Sequence, residues 1–398
     1  MASIIGRAVA GFGAAGIFCG GLVIVANTVH MRQRPLFIGI VTIMYGVASV
    51  LGPTLGGLMT DSPRLTWKFC FWLNVPFGAL AVTVVTFVFK PTTVVNTQLS
   101  IPHKLAKSGI FGVIILLADM TCLVLTLQWG GSVYPWSDSR VWGLLLGFGL
   151  ITILFISLQV RGKEEALIPP RIISQRSVFI CCLYVSFMQL AILSLVYFLP
   201  FFFQAVQGSS TKSSGLSILP FGITTAIATL VGSAIITLGG IYIPFMWLGA
   251  ALLATGTGLL HTLHRSSPIK EWFGYQVISG IGFGIGVQAP SFAIQVVLDA
   301  ADIPVASALI AFCQSLGGMV GAAVAQNVFQ SSLVRNLEKI QAPLLGAARD
   351  AYNVATTSAF LVAVASAGVC FVASMGMEWR TVPKTKETDK STVAVIVP

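Results

Sequence analysis

SVFICCLYVSFMQLAILSLVYFLPFFFQ, residues 177–204, runs for 28 residues without one Asp, Glu, Lys or Arg. A transmembrane helix needs about 20 mostly apolar residues at 1.5 Å rise each, so this stretch is long enough to cross a bilayer. It is not alone. Reading outward between charge and turn signals gives ten more such runs: Ile4 to Thr28, Leu36 to Met59, Phe69 to Phe89, Ser108 to Leu127, Val141 to Val160, Gly215 to Leu238, Tyr242 to Leu263, Trp272 to Leu298, Val305 to Val328 and Ala355 to Met375. Of the 398 residues, 56% are hydrophobic and 9% charged, against roughly 25% charged in a soluble domain. With a mean hydropathy of +0.89, the chain reads as an all-α polytopic membrane protein of about eleven spans.

The loops are short, except for Lys90 to Lys107, Arg161 to Arg176 and Ser331 to Val354, so successive helices pack as antiparallel neighbours. The net charge of +10 resides in these loops and not in a basic block, which excludes nucleic acid as the partner and fits the positive-inside rule. Alternate loops carry 13 and 9 Lys/Arg residues, the richer set including Arg32, Lys104, Arg171 and Lys390. That bias places the C-terminal tail in the cytoplasm. Trp129, Tyr134, Trp136 and Trp142 fall at span ends, where interfacial aromatics belong.

The seven cysteines lack C-x-x-C spacing and the four histidines form no ligand array, so they read as packing residues and no cofactor or metal is expected. There is no G-x-x-x-x-G-K-[ST] motif for ATP. Nor is there a repeated filter motif of the kind a channel uses. The chain opens without a cleavable signal peptide, with Arg7 already inside a Gly/Ala-rich run.

Laid over itself at an offset of 269 residues, the chain matches Gly11 with Gly280, Gly13 with Gly282, Pro35 with Pro304 and Gly52 with Gly321. This indicates a duplicated helical half. Parallel duplication is a transporter architecture, with the substrate site near the midplane between the halves. The expected division is residues 1–90 for the remainder of a first half, 91–165 for two inserted helices, 166–376 for a second half of six helices and 377–398 for a cytoplasmic tail.

Several motifs resemble those of the major facilitator superfamily and, within it, the fourteen-helix drug:proton antiporters common in fungi. Arg7-Ala-Val-Ala-Gly11-Phe-Gly13 is similar to the fourth-helix motif, although Ala10 stands where the family often has Gln. Gly46, Gly52-Pro53-Thr-Leu-Gly56-Gly57 resembles the antiporter motif of the fifth helix, and Trp67 to Gly78 the start of the sixth. Leu127 to Gly131, Tyr197 to Gly208 and Gly274 to Pro290 continue the likeness. The resemblance implies a major facilitator fold that begins at its fourth helix, which accounts for eleven spans and leaves the first three helices and their Gly/Asp/Arg gating loop upstream.

It further implies proton-coupled efflux of small amphipathic compounds such as drugs, toxins or fungal secondary metabolites by a monomer in the plasma membrane, or alternatively the vacuolar membrane. Its partners are then the substrate, protons and the lipid bilayer. Arg7 is the one basic residue inside a span and Asp119 lies mid-span, and intramembrane charge is costly enough to be functional, so both are candidates for proton coupling. For Arg7 the competing reading is a side chain that snorkels to the interface; for Asp119 it is a partner within the inserted helices. Gly46, Gly52, Pro53, Gly56 and Gly57 form the gating motif, because glycine lets helices slide and proline bends them. Gln189, Gln204, Tyr275, Gln276, Gln288 and Gln314 are the cavity candidates, each equally readable as interhelical glue. The other functional readings are an inactive or regulatory fragment of such a transporter and a receptor-like membrane protein.

Overall fold

Inside hydrocarbon every backbone N–H and C=O must find its partner within the chain, which leaves the helix as the economical solution. The computed structural model describes residues 2–28, 44, 48, 51–52, 54–60, 68–88, 109–162, 166–298, 302–338 and 345–379. Its main helices are α1 (Ala2–Thr28), α2 (Asn74–Val88), α3 (Ile110–Trp129), α4 (Ser139–Gly162), α5 (Arg176–Phe201), α6 (Thr211–Ser217), α7 (Leu219–Gly239), α8 (Ile243–His261), α9 (Ile269–Val287), α10 (Ala289–Val297), α11 (Ile303–Leu337) and α12 (Leu345–Met375). Among the described residues nine helical stretches are long and apolar enough to cross a membrane, and Ile4–Ile17 forms a shorter apolar helix. Most of the expected Leu36 to Met59 span, the Lys90 to Lys107 loop and the tail beyond Trp379 lie outside the described residues.

The helix ends differ from the apolar runs, each for a local reason. The expected span from Gly215 begins earlier as α6, whose first turn is capped by the Ser210 hydroxyl accepting from the Ser213 N–H at 3.2 Å, and it breaks at Ile218 ahead of Pro220. The Trp272 span divides at Gln288 because Pro290 offers no N–H. After Pro200, α5 widens into a π-turn over Phe202–Val206. The expected loop from Ser331 to Val354 is a correction: α11 runs to Leu337 and α12 starts at Leu345. Polar residues end a membrane span but not a helix, and Ser331 to Leu337 contains neither Gly nor Pro to stop one.

Helices α5, α7, α8, α9, α11 and α12 form one bundle in which α9 packs between α7 and α8, and α5 between α11 and α12. Its core is aromatic, with Tyr184, Phe198, Phe202, Phe203 and Tyr242 fully buried. The α3–α4 hairpin leans on α11, and its outer faces present Phe111, Leu117, Leu146, Leu150 and Ile153 for lipid to cover.

Contacts at the helix ends fall on two sides. On one, Arg171 grips Asp302 bidentately at 2.9 and 2.8 Å, the Tyr242 hydroxyl donates to the Glu378 carbonyl at 3.4 Å, and Trp247 meets Trp379. On the other, the Asn327 amide donates to the Leu127 carbonyl at 2.9 Å and to that of Gly130. Each pair joins segments separated by an even number of spans, as an alternating path requires.

The run Ser279-Gly-Ile-Gly-Phe-Gly-Ile-Gly286 makes α9 thin on opposite faces. Residues two apart on a helix point roughly oppositely, so Gly280 and Gly284 meet α7 while Gly282 meets α8. A Cβ on Gly280 would stand 2.8 Å from the Phe221 carbonyl oxygen, and one on Gly282 would stand 2.9 Å from that of Gly249. The α8 side of this seam gives a controlled test. A Cβ at Gly256 would fall 2.8 Å from the Ser279 Cα, whereas one at Gly258, two residues on along the same helix, meets nothing within 4 Å. We expect Gly256→Ala to destabilise the detergent-solubilised protein by about 1–3 kcal/mol. Gly258→Ala should leave its melting temperature unchanged or slightly raised. Intrinsic-fluorescence melting curves of the two variants provide the comparison.

Candidate functional site

The polar residues of interest are set by the seam between α5 and α11. These helices run parallel, and Gly317 and Gly321 bring the backbones together at a fixed register. A Cβ on Gly317 would sit 2.7 Å from the Ser186 Cα, and one on Gly321 would sit 2.8 Å from the Leu190 Cα. Two hydroxyls lock the register: Ser186 donates toward the Cys182 carbonyl at 2.8 Å and the Cys313 carbonyl at 3.0 Å, and Ser194 toward those of Leu190 at 2.8 Å and Gly321 at 3.1 Å. Between these clamps the Gln314 Nε2 faces the Gln189 Oε1 at 3.5 Å, a long hydrogen bond, with Gln189 only 8% exposed and Gln314 half-buried. Leu193 packs beside Gln189 against Gly318. The result is a neutral amide pair in an apolar seam.

Three of the remaining cavity candidates, Gln204, Tyr275 and Gln276, lie elsewhere, toward the α5–α6 turn and the first half of α9, and the fourth, Gln288, lies at the far end of α9. Gln276 is fully buried; its Nε2 donates to the Ser217 carbonyl at 3.0 Å, while its Oε1 has no partner among the described residues. Gln204 is exposed and donates to the Ser214 hydroxyl at 3.2 Å. Tyr275 packs half-buried against the core, and Gln288 is half-buried at the α9–α10 break. Near the first three of these a cleft of about 520 Å³ opens, lined by Ser209, Ser213, Ser217, Ser267 and Trp272 among others. Sequence reading passed over these serines. The repeat of 209, 213 and 217, four residues apart, is the signal that could have found three of them.

The proton-coupling and gating candidates are dispersed. Arg7 lies on the exposed α1, its guanidinium carbon 5.9 Å from the centre of the Phe71 ring. Asp119 is 2% exposed and accepts the Thr152 hydroxyl at 3.0 and 3.1 Å, which places it between α3 and α4 and apart from the glutamine pair. Its hairpin is tied to α11 through Asn327. In the gating motif Gly57 is buried, and a Cβ there would stand 2.7 Å from the Thr211 carbonyl oxygen at the start of α6. Gly52 and Gly56 meet nothing within 4 Å, and Gly46 and Pro53 lie outside the described residues.

The sequence model of the Major Facilitator Superfamily matches residues 2–322. The MFS-type transporter ltbE of Aspergillus luteorubrus is 41% identical, the alignment covering 99% of this chain and 76% of that protein. The efflux pump roqT of Penicillium rubens is 35% identical over 97% of this chain and 75% of its own, and the efflux pump aunC of Aspergillus niger is 37% identical over 96% and 76%. With nine membrane-length helices among its described residues, a six-helix bundle closed on glycine seams and fungal relatives aligned along nearly its whole length, the chain belongs to the major facilitator superfamily of multi-pass membrane transporters.

Proposed function

We propose that this chain exports small amphipathic compounds across the plasma membrane in exchange for protons. The observation that carries this reading is the Gln189–Gln314 pair. Two neutral amides in an apolar wall offer donors and acceptors to a molecule that is mostly hydrophobic with a few uncharged polar groups. A sugar or phosphate would demand a denser array of amides or fixed cations. The names of roqT and aunC as efflux pumps support the outward direction.

In this reading the chain divides into residues 1–90, 91–165, 166–376 and 377–398, with 166–376 forming one wall of the passage and the last stretch a cytoplasmic tail. Arg7 and Asp119 take part in proton movement. Gly57 is the member of the gating motif that carries the sliding contact, because it touches α6 where a side chain would block. Gln276 contributes through its buried carbonyl, which has no partner among the described residues. The protein acts as a monomer. The rival reading, a non-transporting fragment or a receptor, predicts ligand binding with no flux.

Reconstitution into liposomes separates these readings. An acid exterior should drive accumulation of a neutral amphipathic fluorophore on the acid side, and a protonophore should abolish it. Gradient-independent binding without flux would sink the transport reading. Replacing Gln189 with Leu removes one neutral hydrogen bond, worth about 0.5–1.5 kcal/mol, so the apparent KM should rise roughly 2- to 10-fold with turnover retained. Arg7→Ala should abolish gradient-driven flux, and Arg7→Lys should keep part of it, because the charge persists without the planar fork. Unaltered coupling in Arg7→Ala would assign that side chain to the interface. Gly57→Leu should insert normally yet lose flux, while Gly52→Leu retains it; the reverse pattern would remove Gly57 from the gate.

A further inference from the structure

We propose that Cys182 and Cys313 form a dithiol site for trivalent arsenicals and similar thiophilic groups with two open valences. The seam geometry carries this. Gly317 lies against Ser186 and Gly321 against Leu190, a constant step of 131 residues, and one helical turn earlier the same step sets Cys313 opposite Cys182. The Ser186 hydroxyl, reaching both the Cys182 and the Cys313 carbonyls, holds the two backbones at that level. The two thiols meet across the seam, and both are free. Cys182 is 6% exposed and Cys313 is half-buried, so the pair is approached from the α11 side, next to Gln314. Their immediate neighbours in the bundle do not compete: the Cys370 thiol donates to the Tyr184 carbonyl at 3.4 Å, and Cys181 is fully buried.

The chemistry balances without an electron donor or acceptor. An arsenoxide R–As=O reacts with both thiols; two S–H bonds and the As=O bond break, two As–S bonds form, and one water leaves carrying both protons and the oxygen. Arsenic remains trivalent throughout. A single thiol gives only one hydrolysable As–S bond, so the ring closed by two facing sulfurs is what retains the group. Because the bond spans α5 and α11, occupancy staples one helix to the other beside the Gln189–Gln314 pair. The site stands on this geometry alone and does not depend on the transport reading.

The full chain, purified in detergent micelles, is treated with stoichiometric phenylarsine oxide and analysed by intact mass. The expected result is one phenylarsenic adduct per wild-type chain, released by a small dithiol and stable to a monothiol. Cys182→Ala and Cys313→Ala should each lose the adduct, whereas Cys181→Ala and Cys370→Ala should keep it. Size-exclusion elution identifies any variant that fails to fold, and either member of the pair decides the matter alone. An unmodified wild type, or an adduct that persists in a folded Cys182→Ala or Cys313→Ala chain, overturns the proposal.

Discussion

The arrangement of the bundle depends on how closely helix backbones approach one another where lipid gives no hydrophobic incentive to associate. Between helices in a bilayer the attraction is dispersion and hydrogen bonding, both of which fall off steeply with distance, so small residues at the contact decide which helices pair. Here α9 is stripped of side chains on opposite faces between Gly280 and Gly286, and α7 and α8 settle onto it. The α5–α11 seam uses the same device with Gly317 and Gly321, then adds Ser186 and Ser194 as hydrogen-bonded pins. The positions of the aromatic core and of the glutamines follow from these two seams.

The membrane helices were plain in the sequence because burial in lipid leaves a compositional mark over 20 or more residues. Their ends were not. Leu337 and Leu345 bound helices that continue past the apolar run, since backbone hydrogen bonding tolerates Arg335 and Arg349 where the bilayer does not. Nor could apolarity reveal the breaks at Ile218 and Gln288, which depend on Pro220 and Pro290, each two residues beyond.

The site was legible by residue type and obscure by grouping. Six polar residues looked equivalent along the chain, yet it is Gln189 and Gln314 that face each other, because their pairing depends on the register of two helices and joins positions 125 residues apart. Gly52, Gly56 and Gly57 sit within one motif, but only Gly57 lies under a neighbouring backbone. The offset of 269 set Gly11 and Gly13 beside Gly280 and Gly282; the latter two are tightly packed, whereas the former meet nothing within 4 Å. Asp119 announced itself as an unusual charge, while its partner Thr152 could be known only once α3 and α4 were folded together.

The pins of the α5–α11 seam have a mechanical consequence. Ser186 and Ser194 stand two helical turns apart, and each binds a carbonyl of the parallel neighbour, so a slip of one helix along the other must break both bonds at once and drive side chains into the glycine gaps. The two helices therefore move as a single stiff beam. The spacing of Gln189 and Gln314 is a property of that beam and stays constant as it tilts. If the proposed export reading holds, any change in grip on a bound molecule has to come from the surface across from the beam, which would turn this wall into the ruler against which the other wall opens and closes.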